Sequence, residues 1–192
     1  CDVLMRLPME GKIESLNAAA YDSYLPWFEK TIPALVRAWD SADTGNPLKT
    51  KLADHIAILR KWDFRWATDS VATSLAVFWA EDMLRRVPPT PGTMAQDNIV
   101  AKATPAQMLQ SLGAASDRLT LDFGSWRTPW GEINRFQRLT GDIVHPFDDK
   151  GPSLPFGFTS GNWGSLASFG ARPTRNTKKW YGTSGHSFVA VV

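Results

Sequence analysis

Apolar residues recur at helical spacing along this chain as far as Phe123, and beyond Gly124 that period is lost. A side-chain period near 3.6 buries one stripe of a helix, whereas frequent glycine, proline and aromatic residues favour turns and short strands. The fold class this switch predicts is α+β, a helix-rich stretch with strands toward the C-terminus.

Local signals place the helices. Ser15–Tyr21 is a short candidate, and Leu25–Trp39 follows with Pro26 in its first turn, where a missing N–H costs nothing. Pro33 inside that segment removes a donor and predicts a kink or a division. Asn46 before Pro47 is an N-cap and first-turn pair, and Leu48, Leu52, Ile56 and Leu59 then carry one stripe to Arg60. Asp69–Arg86 repeats the pattern, with Asp69 as cap, Val71, Leu75, Phe78 and Met83 as the buried face, and two arginines at the negative end of the dipole. These two segments are expected to pair antiparallel. The run from Val87 to Gly92 cannot continue a helix and reads as a linker. Thr104-Pro-Ala-Gln107 is a capping box opening a helix from Pro105 to Asp122.

Beyond Phe123, strands are expected at Ile133–Leu139, Ser165–Phe169 and, most clearly, Ser187–Val192. The organisation read from the sequence is one domain fragment, with residues 1–87 helical, 88–123 linker and helix, and 124–192 rich in loops and strands. The chain begins at Cys1 and stops inside the apolar run Ser187-Phe-Val-Ala-Val-Val192, which reads as a strand cut short, so a larger parent polypeptide is expected.

Lys and Arg number 21 against 19 Asp and Glu, and only Arg172, Arg175, Lys178 and Lys179 lie close together, so nucleic acid is not an expected partner. A single cysteine excludes an intrachain disulfide framework and cysteine-rich zinc sites. No apolar run approaches the roughly 18 to 20 residues a membrane span needs.

Candidate chemistry is sparse. The histidines His55, His145 and His186 have no second ligand at metal-site spacing, so no metal and no cofactor are expected. Asp142, His145 and Ser184 or Ser187 assemble into a triad only on paper, because no nucleophile-elbow sequence is present. Ser160-Gly-Asn-Trp-Gly164 and Gly182-Thr-Ser-Gly185 lack the residues of a phosphate loop and read as tight turns. Asp63 and Arg65, within Trp62-Asp-Phe-Arg-Trp66, could reach into a cleft, but a turn sealed by its tryptophans is the simpler reading. The 9 tryptophans are the most unusual compositional feature; Trp39, Trp62, Trp66 and Trp79 lie within apolar helical patterns, which favours core packing over an exposed platform. Cys1 could act as nucleophile with its own α-amine as base, since that amine has a pKa of about 7.7 to 8.0. The sequence after it, Asp-Val-Leu-Met-Arg-Leu-Pro8, resembles no nucleophile-bearing start.

Three landmarks resemble one family in that family's order. Lys51-Leu-Ala-Asp-His-Ile-Ala-Ile-Leu-Arg-Lys-Trp-Asp63 followed by Asp69-Ser-Val-Ala-Thr-Ser-Leu-Ala-Val-Phe-Trp79 is similar to a passage in the β subunit of penicillin acylases and acyl-homoserine-lactone acylases. Trp126-Arg-Thr-Pro-Trp-Gly-Glu-Ile-Asn-Arg135 resembles their tryptophan-glycine segment, and Gly182-Thr-Ser-Gly-His-Ser-Phe-Val-Ala-Val-Val192 their late strand. Phe64 departs from the pattern, which has glycine after Trp-Asp.

The resemblance implies an N-terminal-nucleophile hydrolase with an αββα sandwich, in which a serine at the start of the β subunit attacks a small N-acyl amide. That serine's α-amine is the base, and a backbone amide with an asparagine forms the oxyanion hole. Both should lie upstream of Cys1, so no catalytic or substrate-binding residue transfers to this segment, which is expected to be inactive alone. The implied partners are the rest of the β subunit and the α subunit, in the periplasm or outside the cell. The alternatives are a non-enzymatic module binding glycan or peptide through tryptophans, and an autonomous Cys1 hydrolase.

Overall fold

The computed structural model describes residues 13–137 and 146–185. Its elements in order are α1 (Ile13–Ala20), α2 (Pro26–Asp40), α3 (Pro47–Lys51), α4 (Ala53–Arg60), α5 (Val71–Arg86), α6 (Ala95–Lys102), α7 (Pro105–Phe123), α8 (Trp130–Ile133), β1 (Asn134–Phe136), β2 (Leu154–Pro155), a 3-10 turn (Gly161–Trp163), β3 (Phe169–Arg172) and β4 (Trp180–Gly185). The chain is α+β, mainly helical with one small mixed sheet. It divides into two compact units interleaved in sequence: one holds residues 28–63 and 71–129, the other the remainder.

The helical unit is organised around α5. Every residue from Ala72 to Ala80 is buried, as are Asp82 and Met83. A helix buried on all sides must lie at the centre of its layer, and the small side chains of Ala72, Thr73, Ser74, Ala76 and Ala80 admit neighbours from several directions. α4, α6 and α7 all pack on it. Trp79 joins α5 to α7 through its ring and through a 3.0 Å hydrogen bond from Nε1 to the Met108 carbonyl.

Several helix ends follow from their sequences. The Asn46 side chain accepts from Leu48 N, and Thr104 with Gln107 forms a complete capping box. Gly124 ends α7 at φ 84°, a left-handed conformation that glycine adopts without a Cβ penalty, and its N–H reaches Thr120 O at 2.9 Å. Lys49 closes α2, donating from Nζ to the carbonyls of Asp40 at 2.9 Å and Ala42 at 2.7 Å.

Three expectations need correction. Pro33 does not divide α2, which runs unbroken while Thr31, Ile32 and Leu35 are buried and hold its packed face. The segment from Pro47 to Arg60 is interrupted at the buried Leu52, whose N–H bonds back to Leu48 O and Thr50 O. α5 begins at Val71, so Asp69 lies in the preceding turn and does not cap it. The run from Val87 to Gly92 holds no helix or strand, as expected; α6 follows it without a sequence signal, since only Asn98 and Ile99 are buried there, too few apolar residues to show a period.

In the other unit, residues 23–25 and 64–66 run side by side. Leu25 N donates to Phe64 O at 2.8 Å and Trp66 N to Ser23 O at 3.0 Å. Thr68 O and Ser70 O then receive the first N–H groups of α8, from Gly131 at 2.7 Å and Trp130 at 3.1 Å. The sheet order is β2-β1-β4-β3; β1 and β4 are parallel and the outer pairs antiparallel. Around it, Leu25, Trp130, Ile133, Trp163 and Tyr181 are among the fully buried side chains of this unit.

The strand expected at Ile133–Leu139 is found as Asn134–Phe136, with residues from 138 outside the described range. That expected at Ser165–Phe169 is displaced to Phe169–Arg172, because the preceding stretch bends around Trp163. The strand expected at Ser187–Val192 lies outside the described residues.

Candidate functional site

The group closest in appearance to a catalytic assembly is His55 with Ser116. Burial of the α4 and α7 faces brings these residues together across 61 positions, with Nε2 and Oγ 2.8 Å apart. Trp126 stacks on the imidazole at a centroid distance of 3.8 Å, and Arg127 covers the same indole at 4.2 Å while donating to Asp54 at 2.9 Å.

The electrostatics point away from catalysis. Burial pushes the His55 pKa from 6.5 down to about 4; Asp54 opposes the shift, and Arg127 and Lys51 reinforce it. The ring is therefore neutral, and its buried Nδ1 has no hydrogen-bond partner. An unmet acceptor costs less than an unmet donor, so the proton belongs on Nε2, which donates to Ser116. A general base would need the opposite tautomer, and Nδ1 has no orienting group such as a triad supplies. His55 is 3% and Ser116 4% exposed, so a substrate carbonyl has no approach to either within this chain. The pair is a polar tie between two helices.

Asp63 is exposed, and Arg65 is engaged by its neighbours. Arg65 pairs with Asp22, reaches Ser23 Oγ at 3.3 Å and covers the Tyr24 ring at 5.5 Å, while Trp62 packs on Phe28 and Trp66 on Phe158. Between them, Phe64 adopts a φ of 60°.

The glycine stretches resolve differently from one another. Ser160 caps the turn through Asn162 N at 3.2 Å, Gly164 has a φ of 91°, and a Cβ there would stand 2.5 Å from Pro26 Cγ, so this is the tight turn expected. Gly182–Gly185, by contrast, lies within β4, its missing side chain making room for the Phe169 ring. Cys1, Asp142, His145, His186 and Ser187 fall outside the described residues; Ser184 is exposed on β4, 3 residues from the buried Tyr181.

A second polar centre had no local sequence signal, being built across about 30 residues. The Asp149 carboxylate accepts from Lys178 N at 2.7 Å, Lys179 N at 3.3 Å and the Tyr181 hydroxyl at 3.1 Å. Burial first, then the hydrogen bond and charge of Asp149, push the Tyr181 phenol up to about 12. Phe147 stacks on the same ring at 4.8 Å. This centre fastens residues 147–151 to β4, and the Tyr181 phenol keeps its proton near neutrality.

Of the tryptophans, Trp27, Trp62, Trp79, Trp130 and Trp163 are buried and the other four half-buried. The half-buried rings are themselves engaged: Trp39 by Lys49, Trp66 by Phe158, Trp126 by His55 and Trp180 by Trp130. This arrangement is packing, not a stacking platform for sugar.

The model of the family described as Penicillin amidase matches residues 4–192. No curated protein matches the chain.

Proposed function

The chain belongs to the penicillin amidase family, and from that premise we propose that it is part of the β subunit of an N-acyl amide hydrolase whose nucleophilic serine lies outside residues 1–192. The observation carrying this reading is a family match spanning residues 4–192. The burial of His55 and Ser116 supports it from the other direction, since the one imidazole–hydroxyl pair among the described residues serves packing.

On this reading the segment is scaffold. Its helices cover one face of an αββα sandwich and its strands complete the sheets, while the serine, its α-amine and the oxyanion donors come from the rest of the β subunit. The α subunit completes the processed enzyme, and the compartment is the periplasm or the cell exterior. The substrate class is small N-acyl amides: β-lactam side chains, acyl-homoserine lactones or related lipopeptides.

The test is hydrolysis of a chromogenic N-acyl amide by the isolated 192-residue chain and by the parent polypeptide. The isolated chain should release no more product than buffer, and the parent should turn over with burst kinetics from its acyl-enzyme. Turnover by a folded, monomeric isolated chain would overturn the proposal, and sensitivity of that turnover to iodoacetamide would assign it to Cys1.

A further inference from the structure

The turn that follows α7 carries Trp126 onto α4. Its indole stacks on the His55 imidazole at 3.8 Å, and Arg127 lies over the same indole at 4.2 Å. The turn is tied within itself, Arg127 N donating to Ser125 Oγ at 3.1 Å and Thr128 Oγ1 to Ser125 O at 2.7 Å. Gly124 precedes it at φ 84° with open space where a Cβ would stand, a pivot that glycine supplies without steric resistance. A second link to α4 is the Arg127–Asp54 pair, whose side chains are 53% and 73% exposed, so it contributes little. The stack on His55 is the stronger hold.

A neutral imidazole suits this place and a protonated one does not. Nε2 donates to Ser116 in either state, but protonation adds a donor at Nδ1, a buried atom with no hydrogen-bond partner. The charges around the ring do not offset that cost. Asp54 of α4 pairs with Arg127 of the turn, and Lys51 of α3 with Asp117 of α7, so attracting and repelling groups come as two ion pairs. Further along α7, Arg118 is paired with Asp122. α5 also packs on α4; it carries no charged residue before Glu81, and its Asp82 is held by Arg85 and Arg86. Trp126 is the half-buried ring stacked on the imidazole, so lifting the indole admits water to it.

We propose that Trp126 is an acid-operated lid on His55: protonation of the imidazole lifts the 125–128 turn from α4 while the helices stay folded. The covered ring has its pKa pushed by burial from 6.5 down to about 4, and an uncovered ring returns to the ordinary value. The open form therefore binds the proton more tightly. The ratio of open to closed rises about tenfold per pH unit as pH falls from 6.5 to 4, about 300-fold in all. Above pH 6.5 the lid stays closed and His55 remains a neutral tie to Ser116. The inference rests on the helical unit alone and is independent of the acylase reading.

The experiment is fluorine NMR of the 192-residue chain labelled with 5-fluorotryptophan, the Trp126 resonance being the one lost in W126F. Between pH 6.5 and 4 that resonance should move toward the position of the free amino acid while far-UV circular dichroism stays unchanged. H55Q should hold the resonance still over the same range. D54N, which removes the exposed ion pair and keeps the imidazole, should leave the movement intact. A Trp126 resonance that stays still in the wild-type chain would overturn the proposal, as would movement that coincides with loss of the helical signal, since general unfolding would then release the ring. Movement retained in a folded H55Q, or abolished in D54N, would assign the effect to other groups and overturn it equally. If H55Q does not fold, the His55 ring proton between the two nitrogens serves in the wild-type chain: it should titrate with the same midpoint as the indole moves, and separate midpoints would sink the idea.

Discussion

Phe64 has a positive φ of 60°, a region where an L residue pays roughly 1–2 kcal/mol and glycine almost nothing. Its carbonyl is tied to Leu25 N and its neighbours are held by Ser23 and Asp22, so the surrounding bonds hold the strained backbone in place. Glycine, which follows Trp-Asp in the passage this stretch resembles, would hold the same conformation without that cost. F64G and F64A both delete the ring, so their difference isolates the backbone: F64G should be the more stable by about 1 kcal/mol in urea unfolding. Equal midpoints would mean that the left-handed conformation carries no cost here. His55 gives a pH prediction. Its folded pKa of about 4 lies below the ordinary 6.5, so the unfolded chain binds the extra proton between those values. The contribution of neutral His55 is fully present above pH 6.5 and is lost as pH falls toward 4, by at most roughly 3 kcal/mol. H55Q should flatten that decline, and an unchanged pH profile would remove His55 as its cause.

At the scale of elements, what was legible in the sequence is what neighbouring residues decide. Thr104 and Gln107 lie 3 positions apart, and each satisfies a backbone or side-chain partner in the other, so the start of α7 could be read directly. T104A should cost about 1 kcal/mol, with Gln107 left without the group it answers; a loss below about 0.2 kcal/mol would mean that α7 is held by its packed face alone. Asn46 before Pro47 was legible for the same reason. The burial of α5 on all sides was not, because a run of small residues shows its apolar stripe but not how many neighbours will close over the rest. α6 escaped because its period is masked by Gln96, Asp97 and Asn98. Of the polar centres, His55 with Ser116 and Asp149 with Tyr181 are pairings that only the closed fold creates, and the sequence carries no spacing rule for either. The family, in contrast, was legible from three landmarks whose order survives without any knowledge of contacts.

At the scale of the whole molecule, the interleaving of the two units makes them unequal. The helical unit is contained in residues 28–129, with its core of Leu75, Trp79, Met83, Leu112 and Leu119 supplied by that stretch alone. The sheet unit cannot be cut out in the same way. Trp163 packs on Trp27 at 5.2 Å, Trp66 lies over Gly157 and Phe158, and α8 begins on the carbonyls of Thr68 and Ser70. A polypeptide of residues 130–192 therefore lacks the side chains that enclose its tryptophans and the acceptors that start its first helix. Deleting such aromatic contacts costs about 3–5 kcal/mol apiece in a packed core, comparable to the whole stability of a small domain. The 28–129 polypeptide should show helical far-UV circular dichroism and a cooperative urea transition, whereas 130–192 should show no near-UV tryptophan signal. If the 130–192 polypeptide folded by itself, the segments before Trp130 would be ornament to the sheet and not part of its core; if 28–129 melted without cooperativity, the helical unit would depend on the rest of the chain as well.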